Sequence, residues 1–172
     1  MNGYRDSDAF LREVNRWIDP GSVSVIIDAG TLDGADALAL AAHFPSAVVY
    51  AFECNPAAIT RCRERLRNTE RVHLIEAAVS EKDGETDFYA IDPGRTMTSH
   101  ADGNIGASSL FRASGLYPHE RYVQHAIRVR TVRLDSWAAS AGVTSVDILW
   151  LDLQGAELLA LRGLGRLLET VR

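Results

Sequence analysis

Three short apolar runs alternate with two amphipathic segments in the first half of the chain. The runs are rich in β-branched residues, and the segments between them repeat apolar residues at the spacing of one helix face. Alternating buried strands and helices are typical of a parallel sheet covered by helices on both faces. The predicted strands are 24–28, 47–52 and 72–77, and the predicted helices are 34–44 and a segment that begins at Asn55-Pro56.

The two ends of the chain add further elements to this pattern. Residues 1–20 carry apolar side chains at helical spacing until Pro20-Gly21, which ends the predicted N-terminal helix. Residues 146–152 form a fourth apolar run, and a helical pattern follows over 156–168. Residues 170–172 resemble the start of a fifth strand. Because a parallel sheet is seldom left with a central strand as a bare edge, we expect the natural fold to continue through further C-terminal strands.

Residues 92–126 are the least regular part of the chain, with scattered Gly, Pro and Ser and no sustained period. Two alternating segments, 85–91 and 127–132, flank them and predict half-buried strands, and a short helix is predicted over 134–141. An irregular stretch of this length within a compact domain is usually a lid or a binding loop. We therefore expect residues 92–126 to cover a substrate.

The fold class that follows is α/β. We predict a Rossmann-like three-layer sandwich with a mostly parallel sheet in the strand order 3-2-1-4, where the fourth strand is 146–152. The 172 residues suit a single domain spanning 1–172. With 47% apolar and 24% charged residues, the composition excludes a disordered chain, a coiled coil and a collagen-like repeat.

The sequence also indicates the cellular compartment of the protein and the classes of partner it can bind. No apolar run approaches the ~18 residues of a membrane span, and the N-terminus lacks the pattern of a secretory signal. Cys54 and Cys62 are poorly placed for a disulfide, so the reducing cytoplasm is the expected compartment. A net charge of −5 argues against nucleic acid as a partner, because phosphate binding needs a clustered positive field.

The strongest local signal is the turn from Asp28 to Gly34 between a strand and a helix. Glycines there allow positive φ and a close approach of a ligand to the backbone, and the helix that follows offers free N–H groups. The spacing is not the G-x-G-x-x-G of dinucleotide sites. A carboxylate such as Asp28 repels a pyrophosphate but attracts the ammonium group of S-adenosylmethionine. A tight turn without a ligand is the structural alternative.

Two further acids follow predicted strands. Glu53 ends the second strand, where a carboxylate can accept hydrogen bonds from both hydroxyls of a ribose, although it could instead cap the next helix. Asp152 ends the fourth strand, and Glu157 lies in the first turn of the helix after it, a position that the helix dipole favours in any case. Ligands of open α/β sheets bind at these strand ends, so we expect Asp28, Glu53 and Asp152 to converge.

Histidines of the irregular segment are weaker candidates. His100, His119 and His125 lie in or beside it, and a hydroxyl acceptor benefits from a general base, for which histidine has a suitable pKa. Solvated loop histidines are at least as good an explanation for each. We name His100, with Asp152 and Glu157, as the catalytic set. No spacing marks a metal site, so none is predicted.

Six segments taken together resemble one known family. They are D-x-G-x-x-x-G (28–34), YAFE-x-NP (50–56), A-x-S-x-x-x-G (78–84), GASSLF (106–111), VRTVRLDSW (129–137) and LDLQGAE (151–157). The set resembles FkbM-type methyltransferases, class I S-adenosylmethionine-dependent enzymes that mostly methylate hydroxyls of sugars and natural products. The resemblance runs from about residue 23 to the end of the chain.

The resemblance implies roles for individual residues. Asp28, Gly30 and Gly34 would line the methionine part of the cofactor and Glu53 the ribose, and we add Ala78 of the third motif to this set. Asp152 and Glu157 would lie beside the transferred methyl group. The family often has asparagine where this chain has Leu32, and it commonly has proline where this chain has Cys54.

The expected function is therefore transfer of a methyl group from S-adenosylmethionine to a hydroxyl of a small molecule, a sugar or a secondary metabolite. Two alternatives remain open at this point. One is a nicotinamide-dependent oxidoreductase on a related sheet, and the other is a non-catalytic binding protein that retains the fold. An open edge at the fourth strand also makes a homodimer an expectation to test.

Overall fold

The computed structural model describes residues 7–172. In chain order its strands are β1 (Val25–Ala29), β2 (Val48–Glu53), β3 (Val72–Glu76), β4 (Ala78–Val79), β5 (Gly84–Ile91), β6 (Gln124–Val132) and β7 (Ile148–Leu151). The α-helices are α1 (Ser7–Glu13), α2 (Ala35–His43), α3 (Pro56–Leu66), α4 (Leu134–Ala141) and α5 (Glu157–Gly163). Short 3-10 helices cover Val14–Arg16, Pro20–Ser22, Ile105–Ala107 and Gly165–Thr170.

The main sheet has four parallel strands in the order β3-β2-β1-β7. This confirms the predicted order 3-2-1-4, because β7 is the fourth apolar run. Successive residues of β1 face opposite sides: Ile26 packs with α1, α2 and α3, and Ile27 packs with α4 and α5. Since both faces are covered by helices, the strands have to be apolar throughout, which is why they appear as continuous runs in the sequence.

The N-terminal helix is shorter than predicted. Residues 1–6 of the predicted helix 1–20 lie outside the described residues, and the rest forms α1 and one 3-10 turn ending at Arg16. Pro20 begins a further 3-10 turn, in which the Asp19 carboxylate accepts a hydrogen bond from the Gly21 N–H at 3.2 Å. Proline at the first position of a turn needs no N–H partner, so Pro20 is well suited to start this element.

A second sheet, in the order β4-β6-β5, was not predicted as a separate unit. The third strand was predicted to continue through Ala77, but the chain leaves the main sheet there, and Ala78-Val79 pairs parallel with β6. Strands β5 and β6 pair antiparallel from Gly84↔Thr131 to Ile91↔Gln124. The irregular segment therefore leaves and re-enters the fold at the same end of this pair, which holds both of its ends together.

The C-terminal elements differ from the prediction in two respects. The helix predicted over 156–168 ends at Gly163, and a 3-10 helix follows it. The α-helix cannot continue through Gly165, because this residue has φ +53. A Cβ at this position would also lie 2.8 Å from Asp135 Oδ2. The fifth strand predicted at 170–172 is wrong. Thr170 ends the 3-10 helix, and its hydroxyl accepts a hydrogen bond from the Val146 N–H at 2.9 Å, which holds the chain against the start of β7. Within residues 7–172, no helix has the length and apolar character needed to cross a bilayer.

Candidate functional site

A cleft of about 630 Å³ opens at the carboxyl ends of β1, β2 and β7. The strand ends contribute Gly30, Glu53 and Asp152 to its wall. The opposite wall comes from the irregular segment, through Ile105 and the residues from Ser108 to Leu110, and from Phe88 of β5. This is the edge at which open α/β sheets bind their ligands, and it lies where the sequence predicted convergence.

Gly30, the first glycine of the turn after β1, is required because the turn packs closely against the backbone of a neighbouring loop. Gly30 has φ +87, and a Cβ there would lie 1.9 Å from the Asp152 carbonyl oxygen. Its N–H and that of Thr31 both donate to the Phe52 carbonyl, at 3.0 and 3.1 Å. Gly30 therefore lets the β1 turn fit between the ends of β2 and β7. Gly34, with φ +80, precedes α2 and does not line the cleft.

Leu32 occupies the left-handed region with φ +55, although it is not a glycine. A leucine there costs about 1–2 kcal/mol, whereas asparagine adopts this conformation more readily. The Leu32 N–H donates to Glu53 Oε2 at 3.0 Å, and its side chain lines the cleft. The strain is thus held by a contact with the acid at the end of the neighbouring strand.

Asp28 lies beneath the cleft, 1% exposed, at the point where β1 meets the turn. Its pKa is raised to about 7: burial is the largest cause, the negative charges of Asp36, Glu53 and Asp152 add to it, and the nearby Thr31 hydroxyl acts in the opposite direction. Among residues 7–172, neither Asp28 Oδ2 nor the Thr31 hydroxyl has a partner that meets hydrogen-bond geometry. A buried carboxylate with an unused oxygen carries a free-energy cost that a cationic neighbour would relieve.

Glu53 is held almost entirely by backbone N–H groups. Its Oε1 accepts from the Cys54 and Asn55 N–H groups, each at 2.8 Å, and Oε2 accepts from Leu32. The side chain is 9% exposed, and burial raises its pKa although these three hydrogen bonds act in the opposite direction. Because each carboxylate oxygen can accept two hydrogen bonds, Oε2 retains capacity for one more donor from the cleft.

Asp152 is exposed on the cleft wall, in the loop between β7 and α5. Its Oδ1 accepts a hydrogen bond from Gln154 Nε2 at 2.6 Å. Gln154 itself has φ +52, and its carbonyl accepts from the Ser109 hydroxyl at 2.9 Å. The irregular segment therefore contacts the backbone of the loop that carries Asp152.

The remaining predicted residues are placed differently. Ala78 lines the cleft. Glu157 does not; its Oε1 accepts from the N–H groups of Leu153 at 2.8 Å and Gly155 at 3.2 Å, so it caps the loop before its own helix. His100 lies outside the cleft with its side chain 58% exposed, and its Nε2 is 3.9 Å from Glu120.

The sequence placed Asn55 at the start of a helix, but it gave neither Asn55 nor Ser108 a part in the site. The Asn55 side chain caps α3 by accepting from the Ala57 N–H at 3.1 Å, and its Nδ2 donates to Ser108 Oγ at 3.4 Å. Ser108 Oγ donates to the Ile105 carbonyl at 2.6 Å and accepts from the Ile91 N–H at 3.0 Å. These bonds hold the irregular segment against the cleft. The GASSLF motif was the available signal.

The charge of the cleft has a single sign. Two carboxylates, Glu53 and Asp152, line it, and no arginine, lysine or histidine of the described range 7–172 does so. The rest of its lining is mostly apolar. Across the same range, no group of three or more His, Cys, Asp and Glu side chains is arranged to hold a metal ion. An acidic, otherwise apolar cleft favours a ligand with an apolar body and a positive charge.

Comparison with protein families is decisive for the relationship. Residues 28–172 match the methyltransferase FkbM domain. The chain belongs to the FkbM methyltransferase family. The earlier resemblance is thereby confirmed, and the matched part contains all eight residues that were predicted to form the site.

Two curated relatives of this FkbM chain are also methyltransferases by name. The 2-O-methyltransferase NoeI of Sinorhizobium fredii is 34% identical over 139 residues, which cover 77% of this chain and 54% of NoeI. The release factor glutamine methyltransferase of Moorella thermoacetica is 40% identical over 75 residues, 42% of this chain and 26% of that protein. The chain thus spans about half the length of the first relative.

Solved structures overlap with this chain only in part. The S-adenosylmethionine-dependent methyltransferase SibL in its apo form is 27% identical and aligns at a TM-score of 0.35 over 41% of this chain and 21% of its own. A putative caffeoyl-CoA O-methyltransferase from Staphylococcus aureus is 19% identical and aligns at 0.36 over 44% and 36%. Overlaps this loose add nothing to the architecture described above.

Proposed function

We propose that this chain binds S-adenosylmethionine in the cleft and transfers its methyl group to a hydroxyl of a small molecule, such as a sugar or a secondary metabolite. The observation that carries the proposal is the charge of the cleft, which has two lining carboxylates and no basic side chain among residues 7–172. S-adenosylmethionine carries a sulfonium and an ammonium group, which suit such a cleft. The pyrophosphate of a nicotinamide cofactor would be repelled, which disfavours the oxidoreductase alternative.

The residues present fit the proposed cofactor. Glu53 Oε2 retains hydrogen-bonding capacity for a ribose hydroxyl, and the buried Asp28 has an oxygen without a partner. When bound, S-adenosylmethionine supplies an activated methyl group. The chain's own contribution is then to hold the reactants in line and to exclude water, and alignment of this kind can contribute roughly 7–11 kcal/mol.

Asp152 is the strongest of the three proposed catalytic residues, because it lines the cleft while Glu157 and His100 do not. Its hydrogen bond from Gln154 fixes the carboxylate near the rim, where it can orient an acceptor hydroxyl or take its proton. Glu157 supports the same loop through its bonds to backbone N–H groups. For His100, the proposal requires a movement of the irregular segment toward the cleft.

The test is calorimetric titration with S-adenosylhomocysteine and, separately, with NAD. We expect micromolar binding of the first and none of the second. Glu53→Gln should weaken binding by about 1–3 kcal/mol, roughly fivefold to 160-fold, because it replaces one buried acceptor oxygen with an NH2 donor. Glu76→Gln is the matched control: Glu76 ends β3 in register with Glu53, but it pairs with Arg63 at the surface.

Three outcomes would contradict the proposal. They are binding of NAD, no binding of S-adenosylhomocysteine by the folded chain, and equal losses in the two variants. Circular dichroism of each variant separates a lost contact from a lost fold. Binding without methyl transfer to any hydroxyl acceptor would favour the non-catalytic alternative. The free thiols of Cys54 and Cys62 agree with the proposed cytoplasmic compartment.

A further inference from the structure

A second cavity, of about 710 Å³, adjoins the first. Ser109 lines both cavities, and Gln154-Gly155, from the loop that carries Asp152, forms another part of the second cavity's wall. A molecule in the second cavity would therefore lie next to whatever occupies the first.

Aromatic side chains form much of the second cavity's wall. Phe111, Tyr117 and Tyr122 all come from the irregular segment, and the Tyr117 and Tyr122 rings meet edge to face with their centres 5.1 Å apart. Phe111 and Tyr117 are each 48% exposed although they are large and apolar. Exposed aromatic faces of this kind provide a flat surface on which a ring can pack.

The only charged side chain among the described residues that line this cavity is Arg112. Its guanidinium carbon lies 4.9 Å from the centre of the Tyr89 ring, which supports the cation from one side. The cavity thus has the opposite charge to the first one. A planar guanidinium binds carboxylate and phosphate groups through two parallel N–H donors.

Two other polar side chains of the cavity already have partners. Gln124 Oε1 accepts from the Ala113 N–H at 2.8 Å, and Gln124 Nε2 donates to the Tyr89 carbonyl at 3.3 Å. The Tyr122 hydroxyl donates to the Glu120 carboxylate. These side chains hold the cavity wall in place. Arg112 is consequently the group best suited to bind a charged part of a ligand.

We propose that the second cavity binds the methyl acceptor and that Arg112 selects an acceptor that carries a carboxylate or phosphate group as well as the hydroxyl. This inference rests on the proposed methyl transfer. It assigns the aromatic walls to the ring of the acceptor and Arg112 to its anionic group. Asp152, on the neighbouring cavity wall, then faces the hydroxyl end.

The experiment compares three probes: glucuronate, glucose 6-phosphate and glucose. Binding to the chain is measured by ligand-observed NMR in the presence of S-adenosylhomocysteine, and methyl transfer is measured with a radiolabelled methyl donor. The test variant is Arg112→Gln. The matched control is Arg95→Gln, which removes the same charge from an exposed position of the same segment that lines neither cavity.

At least one anionic probe should bind tenfold or more tightly than glucose, and Arg112→Gln should abolish this preference while Arg95→Gln preserves it. A preference for glucuronate alone or for glucose 6-phosphate alone identifies the anion. The inference is overturned by equal binding of glucose, by a preference that survives in Arg112→Gln, or by no binding of either anion. Titration of S-adenosylhomocysteine alone separates the two proposals: its failure beside an intact anion preference overturns the proposed methyl transfer and the role of the bound molecule as acceptor, while the anion site at Arg112 stands.

Discussion

Replacing Asp28 by asparagine should stabilise the protein, and the gain should depend on pH. Asp28 is 1% exposed at the end of β1, and burial raises its pKa from 3.8 to about 7. The unfolded chain loses this proton near pH 4, whereas the folded chain retains it until about pH 7. The free energy of unfolding therefore falls as the pH rises through this window.

The size of the effect follows from the pKa. One unit corresponds to 1.36 kcal/mol, so a rise from 3.8 to about 7 amounts to about 4 kcal/mol of lost stability above pH 7. Asparagine does not titrate, so Asp28→Asn avoids this loss. Both the protonated acid and the amide are neutral groups at the same site, so the two proteins should differ least at pH 4.

Urea unfolding of both proteins at each pH from 4 to 8 measures the effect. Asp147→Asn provides a control of opposite sign. Burial raises the pKa of Asp147, but the N–H groups of Ser24 and Val25 and the Arg172 side chain outweigh burial and hold it below its ordinary value. That variant should be less stable than the parent at pH 7, and the difference should shrink as the pH falls.

The reasoning is refuted if the unfolding free energies of the parent and Asp28→Asn differ by a constant amount between pH 4 and pH 8. A constant difference would mean that Asp28 has the same pKa in the folded and unfolded chains. If Asp28→Asn became less stable than the parent as the pH rose, a partner would have to stabilise the charged Asp28 carboxylate of the parent, in contrast to the unpartnered buried oxygen described above.

Three further outcomes are expected. Gly30→Ala should destabilise the fold by about 3 kcal/mol or more in urea unfolding, since its Cβ would meet a carbonyl oxygen at 1.9 Å. Gly115→Ala, with a similar φ and open space, should cost only about 1–2 kcal/mol, and equal losses would exclude the close contact as the cause. Ser109→Ala, which loses the bond to the Gln154 carbonyl, should lower stability by about 1–2 kcal/mol and speed proteolysis within residues 92–123; unchanged cleavage would show that this bond does not hold the segment. Binding of S-adenosylhomocysteine at pH 6.5 should release up to one proton, because its ammonium group favours ionised Asp28; calorimetry in buffers of different ionisation enthalpy measures this, and a zero slope would contradict it.

The predicted acids show which features of the site can be predicted from the local sequence pattern. Asp28, Glu53 and Asp152 were selected because each follows an apolar run, and parallel strands bring their carboxyl ends to one edge. The structure does bring these acids together, and Glu53 and Asp152 line one cleft. Whether a nearby acid also turns toward the cleft depends on local hydrogen bonds. Glu157, which bonds to the N–H groups of Leu153 and Gly155, shows this.

The sequence did not predict which non-glycine residues have a positive φ. Leu32, Asn104 and Gln154 all have positive φ, but only asparagine signals this by its chemistry. Leu32 and Gln154 are held in place by partners distant in the chain, Glu53 and Ser109. Such strain is stable only because the surrounding structure imposes it, so no local pattern predicts it.

The sequence by itself determined the parallel sheet, its strand order and the edge where a ligand would bind. Hydrophobic periodicity and turn residues are local properties that identify the strands and helices, and only a few topologies can connect these elements in this order. Only the tertiary structure decided that the chain changes sheets at Ala77 and that residues 105–110 close the cleft. It also decided that Arg112 and the Asp152 loop border adjoining cavities. These features depend on contacts between residues far apart in the chain, such as Ala78 with Thr131 and Ser109 with Gln154, which side-chain periodicity does not encode.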